Sequence, residues 1–315
     1  MVNTVGLNHK VSFDKGKLIK DFTPYIGILA LLVLFALTTG GRFLRVANLS
    51  LILKQSVIVM IGALGSAFVL SHGNIDFSIG GELALCCLIS YYVAQINPYL
   101  LLPSCIIIGM LLSLFVSVVH VVIGVYAFVS GMCVMFIGKG IVQSVAGSGL
   151  IIDSMYWSFD TTGFYILVMI IMIAVTTILF NWTRIGRYNK LIGSNPRAAL
   201  LSGINEKKYK ILAFLISGFC VGVSSFLTMI RAGGLSAQTG QIFEMDCVIV
   251  LTLGGAPLSG GSGTKIMNAV IGAIIYFMLS NGLLLWGLRA EIIYIIKGIL
   301  FLAIVSCTFD RNNTV

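Results

Sequence analysis

Residues 101–137 read LLPSCIIIGMLLSLFVSVVHVVIGVYAFVSGMCVMFI, a stretch of 37 residues without a single Asp, Glu, Lys or Arg. A helix needs about 20 predominantly apolar residues to cross the hydrocarbon core of a bilayer. The stretch is therefore long enough for two spans, and we place the division near His120. An uncharged segment of this length predicts a helical membrane protein.

The composition of the whole chain points to the same class. Of its 315 residues, 58% are hydrophobic and 10% are charged, and the mean hydropathy is +1.04. Soluble domains carry about 25% charged residues. These values exclude a soluble globular domain, a disordered chain and a secreted disulfide scaffold. The cysteines are scattered through apolar runs without metal-ligand spacing, so we expect no metal site.

Apolar runs separated by polar or glycine-rich breaks predict an all-α polytopic membrane protein with about ten transmembrane helices. The predicted spans are residues 22–39, 52–71, 77–95, 99–118, 119–137, 162–182, 209–230, 242–257, 264–287 and 290–308. The predicted division is a segment 1–21, a single transmembrane domain 22–308 and a tail 309–315. VIVM at residues 57–60 recurs as VIVL at residues 248–251, which is compatible with a five-plus-five internal repeat.

The net charge of +9 is concentrated in two segments. Four lysines precede the first span, and seven Lys or Arg residues lie in the polar loop 183–210. Loops rich in Lys and Arg stay on the cytoplasmic side of a membrane. We therefore expect the loop and both termini to be cytoplasmic, and the basic excess needs no nucleic-acid partner.

The stretch GNIDFSIGGE, residues 73–82, interrupts the apolar text between the second and third spans. Ionisable residues at membrane depth are costly and mark solute pathways, and the glycines suit a broken helix that lines a cavity. The predicted substrate pathway consists of Asn74, Asp76, Ser78 and Glu82. Asp76 is also a candidate N-cap of the following helix, so substrate contact, capping and both roles together stay open.

The polar loop contains the text GSNPRAALLSGI, residues 193–204. Asn195 stands as an N-cap, Pro196 as the first helical residue and Gly203 as the glycine that follows a helix C-terminus. A helix of about two turns is not stable alone. It must dock, either on the membrane surface or in a groove of a cytoplasmic partner.

The sequence has no catalytic motif, and we expect no catalytic residue and no cofactor bound by this chain. GGSGTK, residues 260–265, lacks the Gly-Lys order of a phosphate-binding loop, and neither GxSxG nor HExxH occurs. The glycine-rich text LTLGGAPLSGGSGT, residues 251–264, predicts a tight loop between closely packed helices.

Three segments in this order, GNIDFSIGG, GSNPRAALLSGI and LGGAPLSGGSGT, resemble the permease subunits of ATP-binding-cassette importers for monosaccharides of the ribose and xylose type. The resemblance implies a permease in the bacterial cytoplasmic (inner) membrane that translocates a sugar delivered by a periplasmic or lipid-anchored binding protein. It further implies a second permease copy, identical or a sister chain, and cytoplasmic ATPase subunits that use ATP and Mg.

The resemblance also implies an ATPase-coupling helix in the polar loop. Its residues are Asn195, Pro196, Arg197, Ala198, Ala199, Leu200, Leu201, Ser202 and Gly203. Two positions depart from the family's pattern. Arg197 stands where an acidic residue is usual, and Asn74 replaces a usual glycine.

Two alternatives stay open. An ion-coupled secondary carrier for a small polar solute would need paired acids within the membrane and no docking loop. Asp76 and Glu82 meet the first condition, but the loop 183–210 contains a predicted docking helix and so does not meet the second. Permeases of ATP-binding-cassette importers for nucleosides or branched-chain amino acids share the general fold and form the other alternative.

Overall fold

The computed structural model describes residues 15–147 and 149–308. Residues 1–14 of the predicted N-terminal segment and the predicted tail 309–315 lie outside the described residues. The described α-helices are α1 Lys15–Thr38, α2 Val46–Ser71, α3 Ile79–Ile96, α4 Leu101–Val118, α5 Ala127–Ala146, α6 Thr162–Thr177, α7 Arg184–Ser194, α8 Pro196–Leu201, α9 Glu206–Ala232, α10 Phe243–Leu253, α11 Ile266–Leu285 and α12 Ala290–Thr308.

These helices confirm the predicted all-α polytopic class. Helices α1–α6 and α9–α12 each overlap one of the ten predicted spans, while α7 and α8 lie in the polar loop. Seven helical segments of the described residues are long and apolar enough to cross a membrane. They are Val46–Ser71, Ile79–Ile96, Pro98–Ile123, Ala127–Ala146, Thr162–Trp182, Glu206–Ala232 and Ile266–Leu285.

Two short strands join distant loops at one end of the bundle. β1, Leu150–Ile151, pairs antiparallel with β2, Gly234–Leu235. We call this end of the molecule the strand end. We call the opposite end, which carries α7, α8 and the rest of the loop 183–210, the basic end.

The predicted boundary at His120 is wrong. After α4 the chain continues through one π-helical stretch, Val119–Ile123, and the helix stops only at Gly124, whose φ is +88°. His120 is accommodated because its Nδ1 lies 2.8 Å from the carbonyl oxygen of Val125. The fifth span therefore begins at Ala127 and not at residue 119.

The predicted eighth span is much shorter than expected. α10 has 11 residues, which corresponds to about 16 Å at 1.5 Å per residue. The hydrocarbon core of a bilayer is about 30 Å thick. Gly255, with a φ of +90°, turns the chain away directly after this half-length helix.

The packing of the helices follows an approximate twofold pattern. α2 and α9 pack against each other at the centre; α11 lies on α2, and α4 lies on α9. α10 contacts α11 and α2, and in the same way α3 contacts α4 and α9. α12 packs on α10, and α5 packs on α3. Exchanging α2–α5 with α9–α12 thus reproduces the same pairs, as an internal repeat would. The match of VIVM with VIVL does not support this repeat, because VIVM lies in α2 and VIVL in α10, whereas the exchange pairs α2 with α9.

Small residues let the central helices approach closely. A Cβ on Gly218 of α9 would lie 2.4 Å from the carbonyl oxygen of Gly109 on α4. A Cβ on Gly222 would lie 2.5 Å from the carbonyl oxygen of Cys105, one turn along α4. Membrane helices associate through such small-residue faces, because the lipid offers no hydrophobic driving force between them.

Candidate functional site

The stretch 73–82 forms the predicted helix break between α2 and α3. α2 ends at Ser71, Gly73 turns the chain with a φ of +82°, and α3 begins at Ile79. Asp76 holds the start of α3, because its Oδ1 accepts hydrogen bonds from the Ser78 backbone N–H at 2.8 Å and from the Ser78 hydroxyl at 2.5 Å. Ser78, and not Asp76, directly precedes the first residue of α3, and no side chain caps this helix. Asp76 therefore supports the start of α3 through Ser78 and not as its N-cap.

Glu82 extends this hydrogen-bonded chain into the core. Its carboxyl group is fully buried, with Oε1 2.8 Å from the Ser78 hydroxyl and Oε2 2.6 Å from the Ser113 hydroxyl of α4. The Ser78 hydroxyl carries one hydrogen and therefore donates to one carboxyl group at a time. Asp76, Ser78, Glu82 and Ser113 form one polar chain inside the helix bundle.

Asn74 lies apart from these three predicted pathway residues. Its amide nitrogen is 3.1 Å from His72 Nδ1 and 3.1 Å from His120 Nε2, at the basic end. Asn74 and Asp76 both border a cavity of about 10 Å³, which is room for about one water molecule. Asp76 Oδ2 is buried and has no hydrogen-bond partner among the described residues.

Asp76→Ala is expected to lower the free energy of unfolding by about 1–2 kcal/mol, because it removes the acceptor of the Ser78 N–H and hydroxyl. Asp76→Asn keeps an oxygen at the same place and is expected to lose less than half of that amount. Thermal unfolding of the purified protein in detergent measures both. Equal losses in the two variants would contradict the role of Asp76 as the acceptor for Ser78.

A buried ion pair lies beside the start of α3. Lys139 of α5 contacts Glu244 of α10, with Nζ 2.6 Å from Oε1, and the Glu244 side chain is 7% exposed. A Cβ on Gly80 would clash with Glu244 Oε2, so the carboxylate sits against the first turn of α3. The positive end of that helix dipole favours a carboxylate there. No local sequence pattern connects Lys139 with Glu244, since the two residues are 105 positions apart.

Lys139→Met is expected to destabilise the protein by about 3–5 kcal/mol, because it leaves the Glu244 carboxylate buried and unpaired. The double variant Lys139→Met/Glu244→Gln removes both charges and is expected to recover at least half of this loss. A double-mutant cycle of thermal unfolding tests the pair. Additive losses in the double variant would show that the two side chains do not depend on each other.

The contact between α10 and α11 lies beside a buried lysine, Lys297. The Lys297 ammonium of α12 lies 3.9 Å from the centroid of the Tyr276 ring, and the Tyr276 hydroxyl donates a hydrogen bond to Asp246. A cation over an aromatic face is attracted by the negative charge of that face. The half-length helix α10 is thus held by polar contacts from α5 and α11, and Lys297 of α12 lies on the Tyr276 ring that makes the second of them.

The predicted short helix of the polar loop is present as α8. Asn195 Oδ1 accepts a hydrogen bond from the Ala198 N–H at 3.0 Å, Pro196 is the first helical residue, and Gly203 leaves the helix with a φ of +75°. Its role in coupling stays a prediction.

The two faces of α8 differ. Ala199 is buried in a small apolar cluster with Ile192 and Ile204, so this face docks on the protein itself. Leu200 and Leu201 point the other way and are 67% and 89% exposed. Two adjacent, exposed leucines on a six-residue helix leave apolar surface that a partner or the membrane surface can cover.

α7 holds α8 against the bundle. A Cβ on Gly193 would lie 2.1 Å from the carbonyl oxygen of Ser71, the last residue of α2. The Ser194 hydroxyl accepts a hydrogen bond from the Ser262 N–H at 3.1 Å, in the glycine-rich loop 251–264. Lys190 lies 4.2 Å from the centroid of the Phe180 ring, and burial lowers the pKa of this lysine. The three segments of the basic end therefore touch: the polar loop, the end of α2 and the loop before α11.

Curated relatives match almost the whole chain. The ribose import permease protein RbsC of Haemophilus influenzae is 29% identical over 311 residues, covering 95% of this chain and 96% of the relative. The galactose/methyl galactoside import permease protein MglC of the same organism is 30% identical over 339 residues, covering 98% and 99%. RbsC of Escherichia coli K12 is 27% identical over 293 residues, covering 88% and 91%.

No solved structure matches the chain significantly. The profile of a family described as branched-chain amino acid transport system / permease component matches residues 48–305. This range includes most of α2, all of α3–α11 and most of α12, and it contains the helix break, the ion pair of α10 and the loop 183–210. The chain is therefore a multi-pass membrane protein that belongs to the branched-chain amino acid transport system / permease component family.

Proposed function

We propose that this chain is the transmembrane permease subunit of an ATP-driven importer for a monosaccharide, ribose-like or a related simple sugar. The observation that carries the proposal is the construction of α8. One face is buried on the protein at Ala199, and the other presents two exposed leucines. Such a helix suits the transfer of motion from an attached ATPase subunit to the bundle.

The contacts of the basic end support this coupling. Residues 195–203 are the proposed coupling helix, and they follow directly on the residues of α7 that touch α2 and the loop 251–264. A displacement of α8 would reach the C-terminal end of α2 through Gly193 and the start of α11 through Ser194. ATP acts on the solute pathway only if the two states of the bundle differ in these contacts.

The orientation follows from the charges. The seven basic residues of the loop 183–210 lie at one end of the molecule, and cationic loops stay cytoplasmic. The basic end and both termini are then cytoplasmic, in the inner membrane of a bacterium. The strand end faces outward, where a periplasmic or lipid-anchored sugar-binding protein would dock.

The proposed assembly has two permease chains, which are two identical copies or this chain and a sister, and cytoplasmic ATPase subunits. The chain binds no cofactor and catalyses no reaction in this proposal. ATP and Mg are used by the ATPase subunits. The positive charge of the chain serves orientation in the bilayer, and no nucleic acid is a partner.

The relatives support a sugar as substrate, whereas the family description names branched-chain amino acids. Relatives at 29% and 30% identity carry ribose and galactose permease names. Carboxyl and hydroxyl groups such as those of Asp76 and Ser78 are suited to the hydroxyl groups of a neutral solute.

Uptake measurements with three labelled solutes test the substrate class. Cells that express the permease with its ATPase and binding protein are given labelled ribose, galactose or leucine. We expect uptake of at least one sugar and none of leucine. Uptake of leucine without either sugar would contradict the proposal and favour the amino acid alternative.

A further inference from the structure

We propose that a cavity near the strand end is a subsite for one polyhydroxylated solute, a monosaccharide, on its way into the bundle. The inference rests on the proposed function and deepens it. The cavity has a volume of about 200 Å³, about twenty times that of the cavity beside Asp76, which has room for about one water molecule. A single sugar ring with its hydroxyl groups is a solute of that scale.

The lining has the polar groups that a sugar requires. Its polar residues come from α2, α9, α10 and the segment before α10, and they are Gln55, Thr228, Arg231, Gln241 and Asp246. An amide donates and accepts, a guanidinium donates, and a carboxylate accepts. A polyol has hydroxyl groups that do both, so this mixture of donors and acceptors satisfies it without requiring a charged ligand.

Two of these side chains keep hydrogen-bonding groups for a solute or for water. The side chain of Gln55 is partly buried and makes no hydrogen bond to any described residue. The Thr228 hydroxyl donates to the Ser224 carbonyl and keeps its lone pairs. Partly buried polar groups normally find partners, and a solute or water in the cavity would supply them.

Apolar surface completes the lining. Phe243 and Phe277 lie on it, together with Ile58, Val59 and Leu83. An aromatic side chain offers the apolar surface against which the C–H groups of a sugar ring pack. Ligand sites typically combine such apolar walls with a few placed polar groups.

The position of the cavity fits a site of passage. Its walls belong to α2 and α9, the central pair, and to α3 and α10. α3 is the helix that follows α2, and α10 is the helix that follows α9. Solute sites of repeat-built transporters lie between the repeats, next to discontinuous helices. Ile242, between the lining residues Gln241 and Phe243, has a φ of +65°, a backbone state that β-branched residues rarely adopt and that clusters at ligand clamps.

The first test uses the complete importer in proteoliposomes. The double variant Gln55→Leu/Thr228→Val removes two polar groups at nearly constant volume, and Gln143→Leu, on the exposed side of α5, is the matched control. We expect kcat/KM for sugar uptake to fall about tenfold in the double variant, as two lost hydrogen bonds imply, with ATPase assembly unchanged. Gln143→Leu should transport as the unmodified protein does.

Uptake by the double variant within about twofold of an active unmodified protein would overturn the subsite while leaving the proposed function intact. A second measurement does not depend on transport. Gln55→Cys, in a background with Cys133→Ser and Cys307→Ser, is labelled with a small maleimide in the presence of ribose, galactose or leucine. Slower labelling with a sugar but not with leucine supports the subsite. Equal labelling under all conditions overturns it.

Discussion

Replacing Gly222 with leucine is expected to prevent the permease from packing its central helices. The Cβ alone would lie 2.5 Å from a backbone carbonyl oxygen of α4, where no side chain can move aside. Overpacking a core side chain costs about 1–3 kcal/mol. A clash with the backbone of a neighbouring helix exceeds this range, and we expect little monodisperse protein after extraction in detergent.

Gly140 provides the matched control for this substitution. It lies in the middle of α5, and a Cβ there would meet nothing within 4 Å. Gly140→Leu is therefore expected to express and elute as the unmodified protein, since leucine favours a helix over glycine by up to about 1 kcal/mol. Size-exclusion profiles and thermal midpoints of the two variants compare them directly. Equal stability would contradict the close approach of α4 and α9.

Replacing Leu201 with aspartate is expected to abolish association with the ATPase subunits. The leucine is 89% exposed, so the folded permease alone should tolerate the change. At an interface, the substitution removes about 1.5–3 kcal/mol of apolar burial and adds the cost of desolvating a charge. We expect the ATPase to be lost from the purified complex and ATP-driven uptake to fall to background.

Leu201→Met is the control, because it keeps an apolar side chain of similar size. The thermal midpoint of the permease alone should be the same for both Leu201 variants. Ala199 is not a suitable position for testing the contact with the ATPase, since it is buried against Ile192 and Ile204 and a larger side chain there would disturb the fold. Normal co-purification of the ATPase with Leu201→Asp would rule out α8 as the coupling helix.

Local chemistry explains why α8 could be predicted nearly residue by residue. Asn195, Pro196 and Gly203 act through backbone geometry within a few positions of themselves, so the sequence contains the whole signal. The partners of the helix are distant in sequence. Which face of α8 is buried therefore depended on Ile192 and Ile204 and could not be read from the helix alone.

Hydropathy predicted the number of apolar helices but not how each one ends. The division near His120 was wrong because both sides are equally apolar, and the helix stops at Gly124 only through the backbone conformation of that residue. α10 ends four residues before the end of the predicted span 242–257, where the glycine-rich text 251–264 predicts a loop, and Gly255 turns the chain there.

The candidate site was predicted in part. Asp76, Ser78 and Glu82 are close in sequence, and their mutual contacts follow from a helix start. The contribution of Ser113 and the pairing of Lys139 with Glu244 depend on the packing of separate helices. No local pattern contains that information. The cavity beside Gln55 and Arg231 likewise arises only where the two halves of the bundle meet.

We propose that ATP, used by partner subunits, drives a sugar through this permease. The most direct measurement is uptake of labelled ribose or galactose into proteoliposomes that contain the permease with its ATPase, with the binding protein added outside and ATP enclosed. We expect uptake only when ATP, the ATPase and the binding protein are all present. Uptake by the permease alone, driven by a proton or sodium gradient, would contradict the claim and identify the chain as a secondary carrier that uses its buried acids.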